Sequence, residues 1–413
     1  MTQRGLGRSR WLLAACVVVL MGVFAGGAPA GASSPRGVLR TVDPWFPLGG
    51  GADQGVYALA VDQAGLVYAG GLFDYAGGDE TTGIAAERVA RWNPVTEKWH
   101  ALDEGVYSLK FEYEAVWALA AAPGGTIYVG GIFDRAGSDA AGVATNGIAV
   151  WDGTAWQGLA GGLGDKRDTV AAIAVDPAGN NIYVGGSFAS VGNGIPASNV
   201  ARWNPTTGIW AALGAGLPDG VAALALAPDG TLYAGGTFYL NGASTPTHVV
   251  RWDGAAWQPV GAVTSDGTTF RGVSTLAAAP NGDLYVGGAF EAVNGVAAAN
   301  IARWQAATAT WEPLGAGTNA QVEKIVIDPA GVVFAGGWFT KAGGSANRIA
   351  KWESGSWQPL GDGLDGGVWG LALTANGSRL YVGGTFDQAG TTPANNVAVW
   401  DRYVKAPGPR SGR

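Results

Sequence analysis

The residues in this chain best equipped for chemistry are carboxylates gathered in two stretches: Asp74, Asp79, Glu80 and Glu87, then Asp103, Glu104, Glu112, Glu114, Asp134 and Asp139. Converging oxygens of this kind would suit a hard cation such as calcium or a basic partner. A D-x-D-x-D-G ligand loop is absent, so a solvated acidic rim is the competing reading, and calcium stays an unsupported option. Paired carboxylates could also hydrolyse or cleave a glycan, with Asp74, Asp79, Asp134 and Glu323 as candidates and an acid pair roughly 5–9 Å apart as the requirement. His100 sits beside Trp99 and His248 before an apolar run, contexts that suit surface or loop residues better than a general base. No nucleophile, base and orienting group recur together. The expectation is a non-enzyme with no cofactor.

A second group with chemical potential emerges when the chain is aligned on its repeats. A Val is followed in turn by Tyr57, Trp117, Ala171, Ala222, Ser274, Glu323 and Trp369. Three aromatics fall in repeats that become neighbours if the ends join, with Glu323 beside them. Flat rings of this kind suit sugar rings or an apolar peptide side chain. The alternative is that they wedge between repeats as core.

The repeats that position these residues are marked by Gly-Gly-x-Phe at Gly70-Gly71-x-Phe73, Gly130-Gly131-x-Phe133, Gly185-Gly186-x-Phe188, Gly235-Gly236-x-Phe238, Gly287-Gly288-x-Phe290, Gly336-Gly337-x-Phe339 and Gly383-Gly384-x-Phe386. Their spacing of about 47 to 60 residues is the period of propeller blades. In the fourth repeat, Val221–Leu226 predicts an inner strand A and Pro228-Asp229-Gly230 a tight turn. Thr231–Ala234 predicts strand B, Val249–Trp252 strand C, and Trp257 begins strand D. The glycine pair marks a sharp exit, a positive φ or a close backbone approach. Four antiparallel strands make one blade.

Paired tryptophans recur as Trp92/Trp99, Trp151/Trp156, Trp203/Trp210, Trp252/Trp257, Trp304/Trp311 and Trp352/Trp357, whereas Trp400 lacks a following partner and Trp45 a preceding one. Joining the ends supplies both. The fold expected is therefore all-β, a seven-bladed propeller of four-stranded antiparallel blades, closed by an N-terminal strand around Trp45 that completes the last blade. Closure leaves no free edge. The propeller occupies residues 33–403, with the closing strand at about 44–49 and a short basic Pro/Gly tail at 404–413. A monomer is expected.

Residues 1–32 carry Arg4, Arg8 and Arg10, an apolar run from Trp11 to Ala25, and small residues at Ala28, Ala30 and Ala32, the pattern of a secretory signal peptide. Cys16, after Leu13-Ala14-Ala15, resembles a bacterial lipoprotein box. Only five apolar residues precede it, however, and the longer run follows, so cleavage near Ala30 or Ala32 fits better. The mature chain then has neither Cys nor Met, which excludes disulfide and thiolate chemistry. The expected location is extracellular or periplasmic, without a transmembrane segment. Loss of the three arginines turns a formal charge of −7 into −10, with 22 basic against 32 acidic residues, which argues against nucleic acid as a partner. Arg91, Arg202, Arg251, Arg303 and Lys351 each precede a Trp and, spread around a ring, are expected to be structural.

With its Gly-Gly pairs and tryptophans the chain resembles kelch repeats, most closely at Arg202-Trp203-Asn204-Pro205-Thr206-Thr207-Gly208-Ile209-Trp210. The use of Trp where kelch repeats have Tyr, together with Gly-Gly-x-Phe and Ile-Ala-Arg-Trp, is more similar to secreted bacterial propeller repeats and fungal cell-polarity marker ectodomains. The resemblance covers nearly all of residues 45–403. It implies a propeller displayed outside the cell and brings no catalytic residue: the Cys-modified Tyr of kelch-like copper oxidases has no counterpart, nor do sialidase-type Asp boxes. A secreted binding module for a glycan or protein is the expected function, through the face bearing the B–C and D–A loops. A carbohydrate-active enzyme and a self-associating structural protein are the alternatives.

Overall fold

The computed structural model describes residues 44–109, 113–138, 142–165, 167–265 and 272–402. The leader with Cys16, Glu112, Asp139 and the C-terminal tail lie outside them. Among the described residues are seven four-stranded antiparallel sheets, each a blade with strands A to D. Blade 4 has A at Val221–Leu226, B at Leu232–Phe238, C at Thr247–Trp252 and D at Trp257–Gly261. Gly230 takes φ +86° in its A–B turn, as the Asp-Gly signal predicts. The A strands of blades 1 to 7 start at Val56, Ala115, Thr169, Val221, Gly272, Val322 and Gly367, and each packs on the next. The seventh packs on the first. Strand D of blade 7 is Trp45–Pro47, paired antiparallel with Val397–Asp401 so that Trp45 faces Trp400. No described helix is long and apolar enough to cross a membrane.

The glycine pair has two separate jobs, neither of which is a positive φ. A Cβ on the first glycine would strike the strand-A valine of the next blade: Gly185 meets Val221 Cγ1 at 2.6 Å, and Gly383 meets Val56 Cγ1 at 2.6 Å. The same meeting recurs at all seven joints, so the inter-blade core depends on the absence of a side chain there. A Cβ on the second glycine would run into the carbonyl of the residue that enters strand A of its own blade, as at Gly236, where it would lie 2.7 Å from Gly220 O. Close approach, one of the readings the sequence offers, is thus the reason for the motif, and none of these pairs takes a positive φ. The seven motif phenylalanines are buried beside them.

The tryptophans form a belt. Each C–D pair stands directly opposite across the two strands, with ring centroids 5.1–5.5 Å apart and planes tilted or T-shaped. Each strand-D indole N–H donates to a carbonyl of the preceding blade: Trp99 to Leu48 O at 2.8 Å, Trp156 to Leu102 O at 2.8 Å, and so on to Trp45 with Leu360 O at 3.2 Å. The acceptor residue lies three positions after its own strand-D Trp. The W-x-P-L spacing therefore links blade to blade, at about 1 kcal/mol per bond and 0.5–1.5 kcal/mol per ring pair. Arg91, Arg202, Arg251 and Arg303 stand opposite Tyr68, Tyr183, Tyr233 and Tyr285 of strand B, and Lys351 opposite Phe334, a repeated cross-strand pairing that suits a structural role.

The B–C connections are more ordered than their polar, Gly-rich sequences suggest. In six blades they fold into a two-stranded ribbon, such as Tyr75–Ala76 with Ile84–Ala85, and D–A residues pair onto it, as Val106–Tyr107 do on Arg135–Ala136. Blade 4 has instead a 3-10 turn at Leu240–Gly242.

Candidate functional site

Strand A enters its blade on the face that carries the B–C ribbons, and there every blade has a β-bulge. The strand A to B register slips between Val56 and Ala58, between Val116 and Ala118, and at the equivalent point of the other five. The skipped residues are Tyr57, Trp117, Ala171, Ala222, Ser274, Glu323 and Trp369. A bulge leaves its extra residue unpaired and re-aims the side chain. Aligning the repeats thus picked out the one position per blade whose direction the sheet does not fix.

The structure brings the aromatics together. Tyr57 stacks on Trp117 with centroids 4.8 Å apart and planes at 8°, and Trp369 meets Tyr57 edge-on at 5.7 Å. All three rings are half-buried, so they are neither sealed core nor a free flat platform. Trp338 extends the run, T-shaped against Trp369 at 5.7 Å and 39% exposed. Sequence reasoning missed Trp338 because it occupies the variable position of Gly336-Gly337-x-Phe339. Gly367 makes room for it, since a Cβ there would lie 2.9 Å from the indole, and the Arg348 guanidinium sits 5.7 Å above its ring.

Glu323 closes the arc on its polar side. Burial pushes its carboxyl up to about 7, against hydrogen bonds from Ser274, Trp338 and Gln321 that favour the ionised form. Gln321 Nε2 also donates to Ser274 Oγ at 3.0 Å. Burial and the nearby Tyr113 raise the Tyr57 phenol to about 12, so it stays a protonated donor. Among the described residues the buried indole N–H of Trp369 finds no acceptor. The mouth of the ring therefore has aromatic walls over blades 2, 1, 7 and 6, hydrogen-bonding groups over blades 6 and 5, and only Ala222 and Ala171 over blades 4 and 3.

The acidic loop residues, by contrast, stay separate. Asp74 pairs with Arg88, which also reaches Glu114 at 3.2 Å. Asp79 caps its own turn through Thr81 and Thr82, bonds that hold it down at about 2, and Glu80 beside it is exposed. Asp134 is buried and accepts the amide of Leu109 at 3.1 Å. No three His, Cys, Asp or Glu converge on a metal position among the described residues. His248 lies inside strand C of blade 4 rather than before it, buried, with Nδ1 accepting the Val263 amide at 3.1 Å.

A roomier groove of about 1030 Å³ lies elsewhere, beside blade 4 where the ribbon is missing. Its described walls combine apolar residues such as Leu217, Tyr239, Trp252 and Trp257 with the neutral polar side chains of Ser198, Thr245, Thr247, Gln258 and Asn294, and none of them is charged.

Residues 150–248, from strand C of blade 2 to strand C of blade 4, match the model of the Rax2 C-terminal beta propeller domain. A search of curated proteins finds no sequence match. Among solved structures the chain is similar to one in "Crystal Structure of Mitotic Checkpoint Complex", at 16% identity and a TM-score of 0.54, covering 92% of this chain and all of that one. Such likeness is of fold alone, and with 1129 solved chains matching, the fold by itself names no ligand.

Proposed function

We propose that this is a secreted, non-enzymatic propeller of the kelch-like kind that binds a glycan at the mouth of its central channel. The observation that carries the reading is the seven-fold bulge, which turns one residue per blade to the mouth and there assembles Trp117, Tyr57 and Trp369 with Glu323 and Ser274, beside Trp338 and Gln321. An apolar side chain would need only the rings. A sugar uses both halves, its C–H face on an aromatic and its hydroxyls on the polar groups. The dispersal of Asp74, Asp79 and Asp134 into separate local contacts counts against the glycosidase or lyase reading. The fold likeness to a chain of a protein complex makes a protein ligand the second reading.

The test is a broad glycan array probed with residues 33–413 and with the Tyr57→Ala/Trp117→Ala/Trp369→Ala variant, its folding checked by circular dichroism. Selective binding lost in a folded variant is the expected result. Binding that the variant keeps would remove the site from the mouth, and an array without hits would favour a protein partner or self-assembly.

A further inference from the structure

Directly after the bulge each strand A carries a residue that pairs with the first glycine of the motif: Ala58, Ala118, Ala172, Ala223, Thr275, Lys324 and Gly370. Six are small or absent side chains, as a narrow channel demands. The seventh is a lysine. Lys324 lines a channel cavity of about 60 Å³ together with Trp117, Ser274 and Thr275, so the cavity begins at the mouth layer and continues past Lys324 to residues such as Leu119 and Leu276. Among the described residues its ammonium takes part in no ion pair, and burial draws its pKa below the ordinary lysine range. Glu323, its neighbour in sequence, is engaged with Ser274, Gln321 and Trp338. A half-buried charge without an ion-pair partner among the described residues costs stability, and five of the seven blades manage with alanine or glycine at this position.

We infer that Lys324 is the counter-charge for a ligand carboxylate, so that the glycan taken at the mouth is an acidic one whose sugar ring bears a carboxyl group. This rests on the mouth being a glycan site. At about 60 Å³ the cavity has room for a few waters. A carboxylate group fits such a space. The ring stays on the aromatics while its acid substituent descends to the ammonium.

The experiment compares wild type, Lys324→Met and the triple aromatic variant on an array of uronate- and sialate-bearing glycans with their carboxyl-reduced counterparts, followed by calorimetry on the hits and on acetate and phosphate alone. Wild type is expected to prefer acid over reduced glycan at least tenfold. Lys324→Met should lower acid binding to the level of the reduced glycan and leave the latter unchanged, with a melting temperature no lower than wild type. Hits without acid preference, or a preference that Lys324→Met and Lys324→Gln both retain, would overturn the inference and leave the mouth as a neutral-glycan site. Acetate or phosphate binding as tightly as the glycan would make it a free-anion site and overturn it too. An array with no hits would overturn both.

Discussion

Replacing Glu323 by Gln tests the electrostatics of the mouth without a ligand. An unfolded Glu titrates near 4.5, whereas the folded carboxyl titrates at about 7. Between these values the folded protein holds a proton that the unfolded chain has released, so stability falls as pH rises and the penalty is complete above about pH 7. The gap amounts to roughly 3 kcal/mol at 1.36 kcal/mol per pH unit. Gln mimics the protonated acid in shape and hydrogen bonding and has no charge to desolvate. Urea unfolding of wild type and Glu323→Gln from pH 4 to pH 8 should therefore show a stability difference that shifts by up to roughly 3 kcal/mol in the variant's favour. Other carboxylates titrate in both proteins and cancel. A difference that is flat across this range, or that shifts toward wild type, would refute the reasoning, because the donors from Ser274, Trp338 and Gln321 would then outweigh burial.

Two further predictions concern the closure of the ring. Gly383→Ala should cost about 1–3 kcal/mol by overpacking Val56, and the Gly383→Ala/Val56→Ala pair should lose less than the sum of the single changes; strict additivity in urea titrations would deny the contact. Trp45→Ala removes a buried ring, its bond to Leu360 O and its pairing with Trp400, and should cost about 3–5 kcal/mol. Trp99→Ala is its internal control, and a loss under about 1 kcal/mol at Trp45 alone would mean that this strand does not complete the blade.

The blades were legible because each repeat had to solve the same packing problem with the same residues. Glycine at a joint, phenylalanine behind it and two tryptophans opposite one another leave a period that needs no structure to be seen. Trp45 and Trp400 were legible as a split pair for the same reason. The B–C ribbons were not, since strands of two residues such as Ser190–Val191 are too short to show an alternation. The acidic loops suggested a site because their residues are close in sequence, yet Asp79 spends its oxygens on Thr81 and Thr82, and Asp74 on Arg88. Trp338 was hidden in a position read as variable, and Lys324 in one where a strand lysine is ordinarily read as facing solvent.

Why the mouth collects so much chemistry follows from the bulge itself. In a regular strand, successive side chains alternate between faces, so only every second residue of strand A could reach the channel. The slip at Val322/Lys324 breaks the alternation, and the cavity is accordingly lined by consecutive residues, Trp117 to Leu119 and Ser274 to Leu276 among them. Two layers of side chain, one at the rim and one beneath it, thus come from adjacent residues of the same strand. In five blades the lower layer is alanine or glycine and in blade 5 threonine, which keeps the channel open under the aromatics. In blade 6 the two layers are Glu323 and Lys324. A carboxyl held near neutrality at the rim and, just below it, an ammonium with no ion pair among the described residues form a gradient from hydrogen bonding to charge along the channel axis, which a ligand with hydroxyls at one end and an acid at the other would match.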